Sequence, residues 1–428
     1  MLERSLGAGV CVVVLVGVAL ASGGDGLAAT RQKISGTNLT IYSSLPRQGA
    51  SAPNIKATER GIQMAVAERN GKVGKYTITY RPLDDSLAST GAADPGRGRK
   101  NANAAAGDAN AVGYIGEFNS SISKVTIPIL NKAGIAQVSP SNTYTGLTSS
   151  APGSEHGEPG KYYPTGKRTY ARVLPNDVIQ SAALATAAHD DGCASVTLLN
   201  SRTTYSAGLV KNLARSAKQI GLPVKASLAY DRRASSYTSL AKKVDSPCVI
   251  QTGEIASHGV QVLKAVAAAH KSIRLYGADA ICLDPTYGFW KSARKSLAPR
   301  FRCAIAALDP ASFGEKGRKF FADYSARYGD KHPYAEAIYG YESMALLLDA
   351  IQRATQPSGS PPYQDPVSEV SREKVVAALF GTRDRDSVLG SYSIDPGGDT
   401  TLTDYGLYRI SGQRLVFDRV IRPARPGR

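Results

Sequence analysis

Apolar positions recur along this chain at two spacings. Short runs rich in β-branched and aromatic residues fall at 39–42, 76–80, 112–115 and 135–138, and their length and bounds predict strands. Between them, 56–69 carries Ile62, Ala65 and Val66 on one helical face, 101–107 is rich in Ala, and 123–132 returns to helical spacing. Strand and helix alternate, so a parallel sheet with helices on both faces is expected. The stretch 149–168 is rich in Gly, Pro, Ser and Tyr and has no period. It reads as a long ordered loop. The run 170–174 then leads through Pro175 into a first crossover.

A second alternation follows. Strands are expected at 195–199, 224–229, 248–251, 273–276 and 301–306, with helices such as 208–220 and 260–270 between them. Beyond residue 310 three helical stretches are expected. The clearest, 334–354, aligns Ile338, Tyr341, Ala345 and Leu348 behind Pro333. Residues 356–366 read as a loop, and strands are expected near 390–394, 407–410 and 416–420. The fold class is α/β: two doubly wound parallel-sheet lobes joined by a multi-crossover hinge. Residues 36–172 with 308–420 form lobe 1 and residues 173–307 form lobe 2. Ligands of such sheets sit at the carboxyl ends of strands, where strand order reverses.

Residues 1–30 stand apart. Positions 6–21 hold sixteen residues without a charge, behind Arg4. That is shorter than the roughly 20 apolar residues a membrane span needs. A signal peptide is expected, with an uncleaved N-terminal anchor as the alternative. Either places the remainder outside the cytoplasm.

The formal charge of +17 raises the question of nucleic acid. The basic residues are spread along the chain, and no stacking-aromatic motif accompanies them, so no nucleic-acid partner is expected. Attraction to an anionic cell surface is a side effect of such a charge.

Of five cysteines, Cys11 lies in the leader. Cys193, Cys248, Cys282 and Cys303 form an even set without metal-like spacing, so disulfides are expected and zinc is not. In a doubly wound sheet the first and third strands of the second series are neighbours. Cys193 and Cys248 start those strands and could bridge, leaving Cys282 and Cys303 to pair by exclusion. Connectivity is not fixed by sequence alone.

Two segments carry candidate binding chemistry. Gly116-Glu117-Phe118-Asn119-Ser120-Ser121 follows a strand and precedes a helix. Free N–H groups at a helix start, with hydroxyls beside them, favour a carboxylate. Capping by Ser120 or Ser121 explains the same residues equally well. Ser139-Pro140-Ser141-Asn142-Thr143-Tyr144, past the next strand, offers hydroxyls and carbonyls on the same rim, or an ordinary Pro turn.

Taken together, YIGEFNSSISKVTIPILNKAGIAQVSPSNTYTGLT, LPRQGASAPNIKATERGIQMAVAERNGKVG, TTYSAGL, YGYESMALLLDAI and GSYSIDPGGDT resemble the branched-chain amino acid (Leu/Ile/Val) binding proteins of ABC transporters, of the type I periplasmic-binding family. The resemblance runs from about residue 36 to 420 in order and spacing. It implies that Ser120 and Thr143 bind a ligand carboxylate, with Ser121 beside them. It also implies that the Ser141 carbonyl and Asp279 receive an α-ammonium, and that Tyr205 packs over the ligand from the second lobe. A zwitterion needs donors at one end and acceptors at the other. Where this chain has Asp279 the family often has Glu, and Asn119 stands where some members have Cys. The first loop, 48–53, is longer and would line the side-chain pocket. Asp84 and Asp85 also match the family and read as structural. The family's usual lipoprotein cysteine after the leader is absent. The implied partners are an amino acid or amide and a membrane permease, with the protein a monomer. A sensor of amides, urea or amino acids is the alternative role.

An enzyme would need a catalytic set. The five histidines, His156, His189, His258, His270 and His332, form no HExxH or close pair. There is no P-loop, no GxSxG and no GxGxxG after a strand. Neither catalysis nor a cofactor is expected.

Overall fold

The computed structural model describes residues 34–423 apart from 254–256, 283–294, 332, 357–368 and 413. The apolar segment 6–21 and nearly all of the loop 356–366 lie outside them. Described residues from 34 onward belong to one compact unit.

The first half of that unit is a six-stranded sheet. In chain order it runs β1 (Asn38–Leu45), α1 (Ala52–Glu68), β2 (Lys72–Val73), β3 (Tyr76–Asp84), α2 (Pro95–Gly107), β4 (Ala111–Ile115), α3 (Ser120–Lys132), β5 (Ala136–Ser139) and β6 (Tyr170–Arg172). The spatial order is β2-β3-β1-β4-β5-β6, and every pairing but the short β2–β3 edge is parallel. Strands β4 and β5 are buried along their whole length, as a strand covered by helices on both faces must be. Strand order reverses between β1 and β4. The loops leaving Leu45 and Ile115 therefore diverge and leave a crevice.

The second sheet collects α4 (Asp177–Asp190), β7 (Val196–Asn200), α5 (Thr204–Gln219), β8 (Val224–Ala229), α6 (Thr238–Ala241), β9 (Cys248–Gln251), α7 (Ser257–Ala269), β10 (Arg274–Gly277) and β11 (Phe301–Ile305). The chain then returns to the first sheet through α8 (Glu315–Tyr328), α9 (Glu336–Thr355) and α10 (Arg372–Phe380). A small hairpin, β12 (Arg385–Ser387) with β13 (Gly390–Tyr392), precedes β14 (Tyr405–Ser411) and β15 (Arg414–Ile421). The second sheet has the order β15-β14-β11-β10-β9-β7-β8 and reverses between β7 and β9.

Two expectations are corrected here. Strands β14 and β15, assigned by chain order to lobe 1, complete the second sheet: β14 pairs antiparallel with β11, and β15 antiparallel with β14. A terminal hairpin joins whichever sheet has an open edge, and β11 supplied one. Helices α1, α2 and α3 also start earlier than their apolar periods. Their first turns hold capping and polar residues, such as Asp94, whose carboxylate accepts from Arg97 N at 2.8 Å.

Helix α9 lies against α1 at two glycines. A β-carbon on Gly61 would come within 2.0 Å of the Ala337 carbonyl oxygen, and one on Gly340 within 2.1 Å of the Thr58 carbonyl oxygen. Backbone meets backbone there, which fixes the N-terminal end of α9 beside the crevice. Disulfides join Cys193 to Cys248 and Cys282 to Cys303. The first clasps β7 to β9, where Val196 and Cys248 are cross-strand partners. The second ties the turn after β10 to β11.

Candidate functional site: a polar cleft between two sheets

The chain passes between the sheets three times, at 173–176, 306–314 and 393–404. Arg172, fully buried at the end of β6, ties the first of these connections to the third. Its Nε donates to Asp399 Oδ1 at 2.7 Å, and its Nη1 donates to the carbonyls of Asn142 and Tyr144 at 3.1 and 3.0 Å. The Tyr405 hydroxyl donates to the Pro175 carbonyl at 3.0 Å, and that of Tyr339 to Ala306 at 2.6 Å.

On the first sheet, the loops after β4 and β5 form one rim because Asn142 bridges them. Its Nδ2 donates to the Phe118 carbonyl at 2.8 Å, while its Oδ1 accepts from Ser123 Oγ and Tyr170 OH. Ser139 Oγ donates to the Glu117 carbonyl at 2.9 Å and accepts from Asn142 N at 2.8 Å. This framework carries Ser120, half-buried on the first turn of α3, with Ser141 half-buried and Thr143 buried opposite. Ser121, next along α3, is exposed.

On the second sheet, Tyr205 stands at the start of α5 and Asp279 in the turn after β10, both half-buried. The Tyr205 hydroxyl donates to Gln180 Oε1 at 2.8 Å and to the Asp279 carboxylate. Burial raises the Asp279 carboxyl above the usual range, against the hydrogen bonds from Tyr205 and Gln180.

The residue that links the two rims is Asp177, on the first turn of α4. Its backbone N–H donates to the Thr143 carbonyl at 2.7 Å. Its side chain is fully buried, and neither carboxylate oxygen has a hydrogen-bond partner. Burial first, then the Asp279 charge, push it up to about 8, while Thr143 and Arg172 act the other way. The hydroxyl of Tyr405 feels both acids. Thr143, Asp177, Asp279 and Tyr205 thus share one polar interior.

Sequence reasoning missed Asp177, since Asn176-Asp177 reads as an ordinary helix start. It also missed Glu336, at the start of α9, whose Oε1 accepts from Asn54 Nδ2 at 2.8 Å. Beneath the rim, Glu117 and Asp85 are both buried. Burial and each other's charge hold Glu117 well above the carboxylate range, and burial lifts Asp85 to about 6. Asp84 accepts from Arg47 N, Gln48 Nε2 and Ser86 N at 3.0, 2.7 and 2.8 Å, so it shapes the first loop. Among the described residues no His, Cys, Asp and Glu side chains gather into a metal-binding set. An open concavity of about 610 Å³ near Arg69, Asp349 and Arg385 lies at the amino ends of the strands, away from this cleft.

Two α/β lobes, three connections and a polar cleft at the strands' carboxyl ends define a two-lobed binding protein. Residues 40–414 match the model of the periplasmic binding protein family, and the chain belongs to that family, with the type I fold. No curated protein matches it. Among solved structures, a leucine-binding protein from Thermotoga maritima has a TM-score of 0.71 at 20% identity, covering 90% of this chain and 99% of that one. A branched-chain amino acid transporter substrate-binding protein from Streptococcus pneumoniae, in complex with isoleucine, gives 0.70 at 16%, covering 90% and 100%. A solute-binding protein of an ABC transporter from R. palustris, in complex with 4-hydroxybenzoate, gives 0.70 at 15%, covering 90% and 97%. Among the described residues no helix is long and apolar enough to cross a membrane.

Proposed function

We propose that this protein is the extracytoplasmic solute-binding component of an ABC transporter, and that it takes a small amino acid in the cleft between its lobes. The observation that carries the reading is Asp177: a buried carboxylate without a partner, next to a second acid, calls for a cation. An α-ammonium supplies it. A benzoate, bound by the R. palustris relative, has none. The ligand carboxylate goes to Ser120 and Thr143, with Ser121 at the outer edge, where the α3 N-terminus adds a favourable partial charge. The Ser141 carbonyl and Asp279 join Asp177 around the ammonium, and Tyr205 closes over the ligand while holding Asp279 in place.

Binding works by closure. Groups from both lobes contact the ligand only when the lobes meet, so the ligand stabilises the closed form. Moving a population from 1:99 to 99:1 requires a preference of about 10⁴-fold, which a hydroxyl-lined rim facing an acidic one can supply. The closed form then docks on a membrane permease that releases the ligand. Nothing in this cycle requires turnover of the solute.

Calorimetric titration with L-amino acids, amides and benzoates tests the assignment. An L-amino acid should bind, and Asp279→Ala should abolish that binding while leaving the circular dichroism spectrum unchanged. Unchanged affinity in Asp279→Ala, or binding of benzoates alone, contradicts it.

A further inference from the structure

The two lobes meet at a contact that is not one of the three covalent connections. Residues 144–153, which follow β5 of the first sheet, lie against α5 of the second. Asn212 on α5 is buried, and its Nδ2 donates to Oγ1 of the wholly buried Thr145 at 3.0 Å. One turn earlier on α5, Gly208 faces the same loop. A β-carbon there would come within 2.8 Å of both the Gly153 carbonyl oxygen and the Tyr144 ring. Gly153, at φ +100°, has no room for a side chain either: a β-carbon would strike the Asn212 amide and come within 2.9 Å of the Gly208 carbonyl oxygen. Backbone therefore meets backbone between the lobes, with a buried hydrogen bond beside it.

Each side of this contact is held by its own lobe. The Tyr144 hydroxyl donates to Glu158 Oε2 at 2.7 Å. Glu158, its side chain wholly buried, also accepts from Glu155 N at 2.6 Å and from the Tyr162 hydroxyl, and it pairs with Lys124 of α3 at 3.1 Å. Lys124 Nζ lies over the Tyr144 ring, 4.6 Å from its centre. The α5 side carries Tyr205, three residues before Gly208, with its hydroxyl on Gln180 and Asp279. The contact thus fixes the helix that presents Tyr205 to the cleft, yet none of its residues is among those assigned to the ligand.

We propose that this contact is a clasp: it holds the two lobes together without a ligand, so that the binding-competent form is already populated when the solute arrives. The apparent affinity of a two-state protein falls with the fraction of molecules in the binding-competent form. A contact made only when the lobes meet raises that fraction, and the ligand then has less than the full preference to supply. The clasp rests on closure, as read above, and not on which solute binds. Thr145, Gly153, Gly208 and Asn212 act on binding through the lobes, as positioning residues.

Small-angle X-ray scattering of the purified, unliganded protein tests the clasp. Gly208→Ala puts a methyl group between the loop and α5, and alanine is the better helix former, so α5 itself should not suffer. Asn212→Ala removes the hydrogen bond and adds no bulk. The wild type should scatter as the structure with its lobes in contact does. Both variants should show a larger radius of gyration with an unchanged far-ultraviolet circular dichroism spectrum. A wild-type protein already more expanded than the structure, or a wild-type profile retained by both variants, overturns the clasp. Neither result depends on a solute, so failure of every amino acid in the titrations above counts against that reading and not against the clasp.

Discussion

Arg172 and Asp399 bind the first inter-lobe connection to the third, Nε to Oδ1 at 2.7 Å, with the guanidinium side chain wholly buried. Asn176 Nδ2 and Thr148 Oγ1 also donate to Asp399, at 2.7 and 3.1 Å. One carboxylate thus anchors two of the three connections between the sheets.

Removing one partner of a buried ion pair leaves an uncompensated charge. Asp399→Ala should therefore destabilise the protein by about 3–5 kcal/mol, with Asp399→Asn less severe because the hydrogen bonds survive in part. Urea unfolding followed by circular dichroism measures both. A change under about 1 kcal/mol for Asp399→Ala would show that the clamp is not part of the frame.

Asp177 gives the account a pH signature. Its pKa in the folded, unliganded protein is raised to about 8, far above an unfolded Asp near ~3.9. Its contribution to stability is therefore fully present below pH ~4 and lost as pH rises through about 8. The unliganded melting temperature should fall between pH 5 and pH 9, and Asp177→Asn should flatten part of that slope. An ammonium ligand favours the ionised carboxylate, so binding at pH 7 should release a proton. Calorimetry in two buffers of different ionisation enthalpy reads that proton directly, and equal apparent enthalpies would count against the assignment.

The two alternating series were legible because buried parallel strands and amphipathic helices impose their own periods. The Cys193–Cys248 disulfide agrees with the neighbour relation that a doubly wound order creates, and Cys282–Cys303 is the pair that exclusion leaves. The membership of β14 and β15 was not legible, because pairing of a terminal hairpin depends on which sheet edge is open. The rim segment around Ser120 could be read as a strand-to-helix turn, and that around Thr143 as a polar turn just past a strand. Asp177 and Glu336 could not: each stands at a helix start, where an acid is ordinary, and only tertiary burial distinguishes them. Glu117 was hidden in the same way, as one polar residue within a polar turn.

The Cys282–Cys303 disulfide closes a separation of 21 residues and ends the turn that holds Asp279. Replacing both cysteines with Ser should lower stability by about 2–4 kcal/mol. It should also weaken ligand binding, because the Asp279 turn loses its tie to β11. Thermal melts and titrations of the double variant check both effects. Unaltered affinity would mean that the Tyr205 hydroxyl and the Ala280 N–H, which donates to Asp279 Oδ1 at 2.6 Å, hold the acid unaided.

The most direct measurement is a crystal structure of the protein grown with the L-amino acid that raises its melting temperature most. The account predicts one molecule between the lobes, its carboxylate on Ser120 and Thr143 and its ammonium on Asp177 and Asp279, with Tyr205 over it. A ligand bound outside the cleft, or one whose carboxylate lies on the Asp177 side, would contradict it.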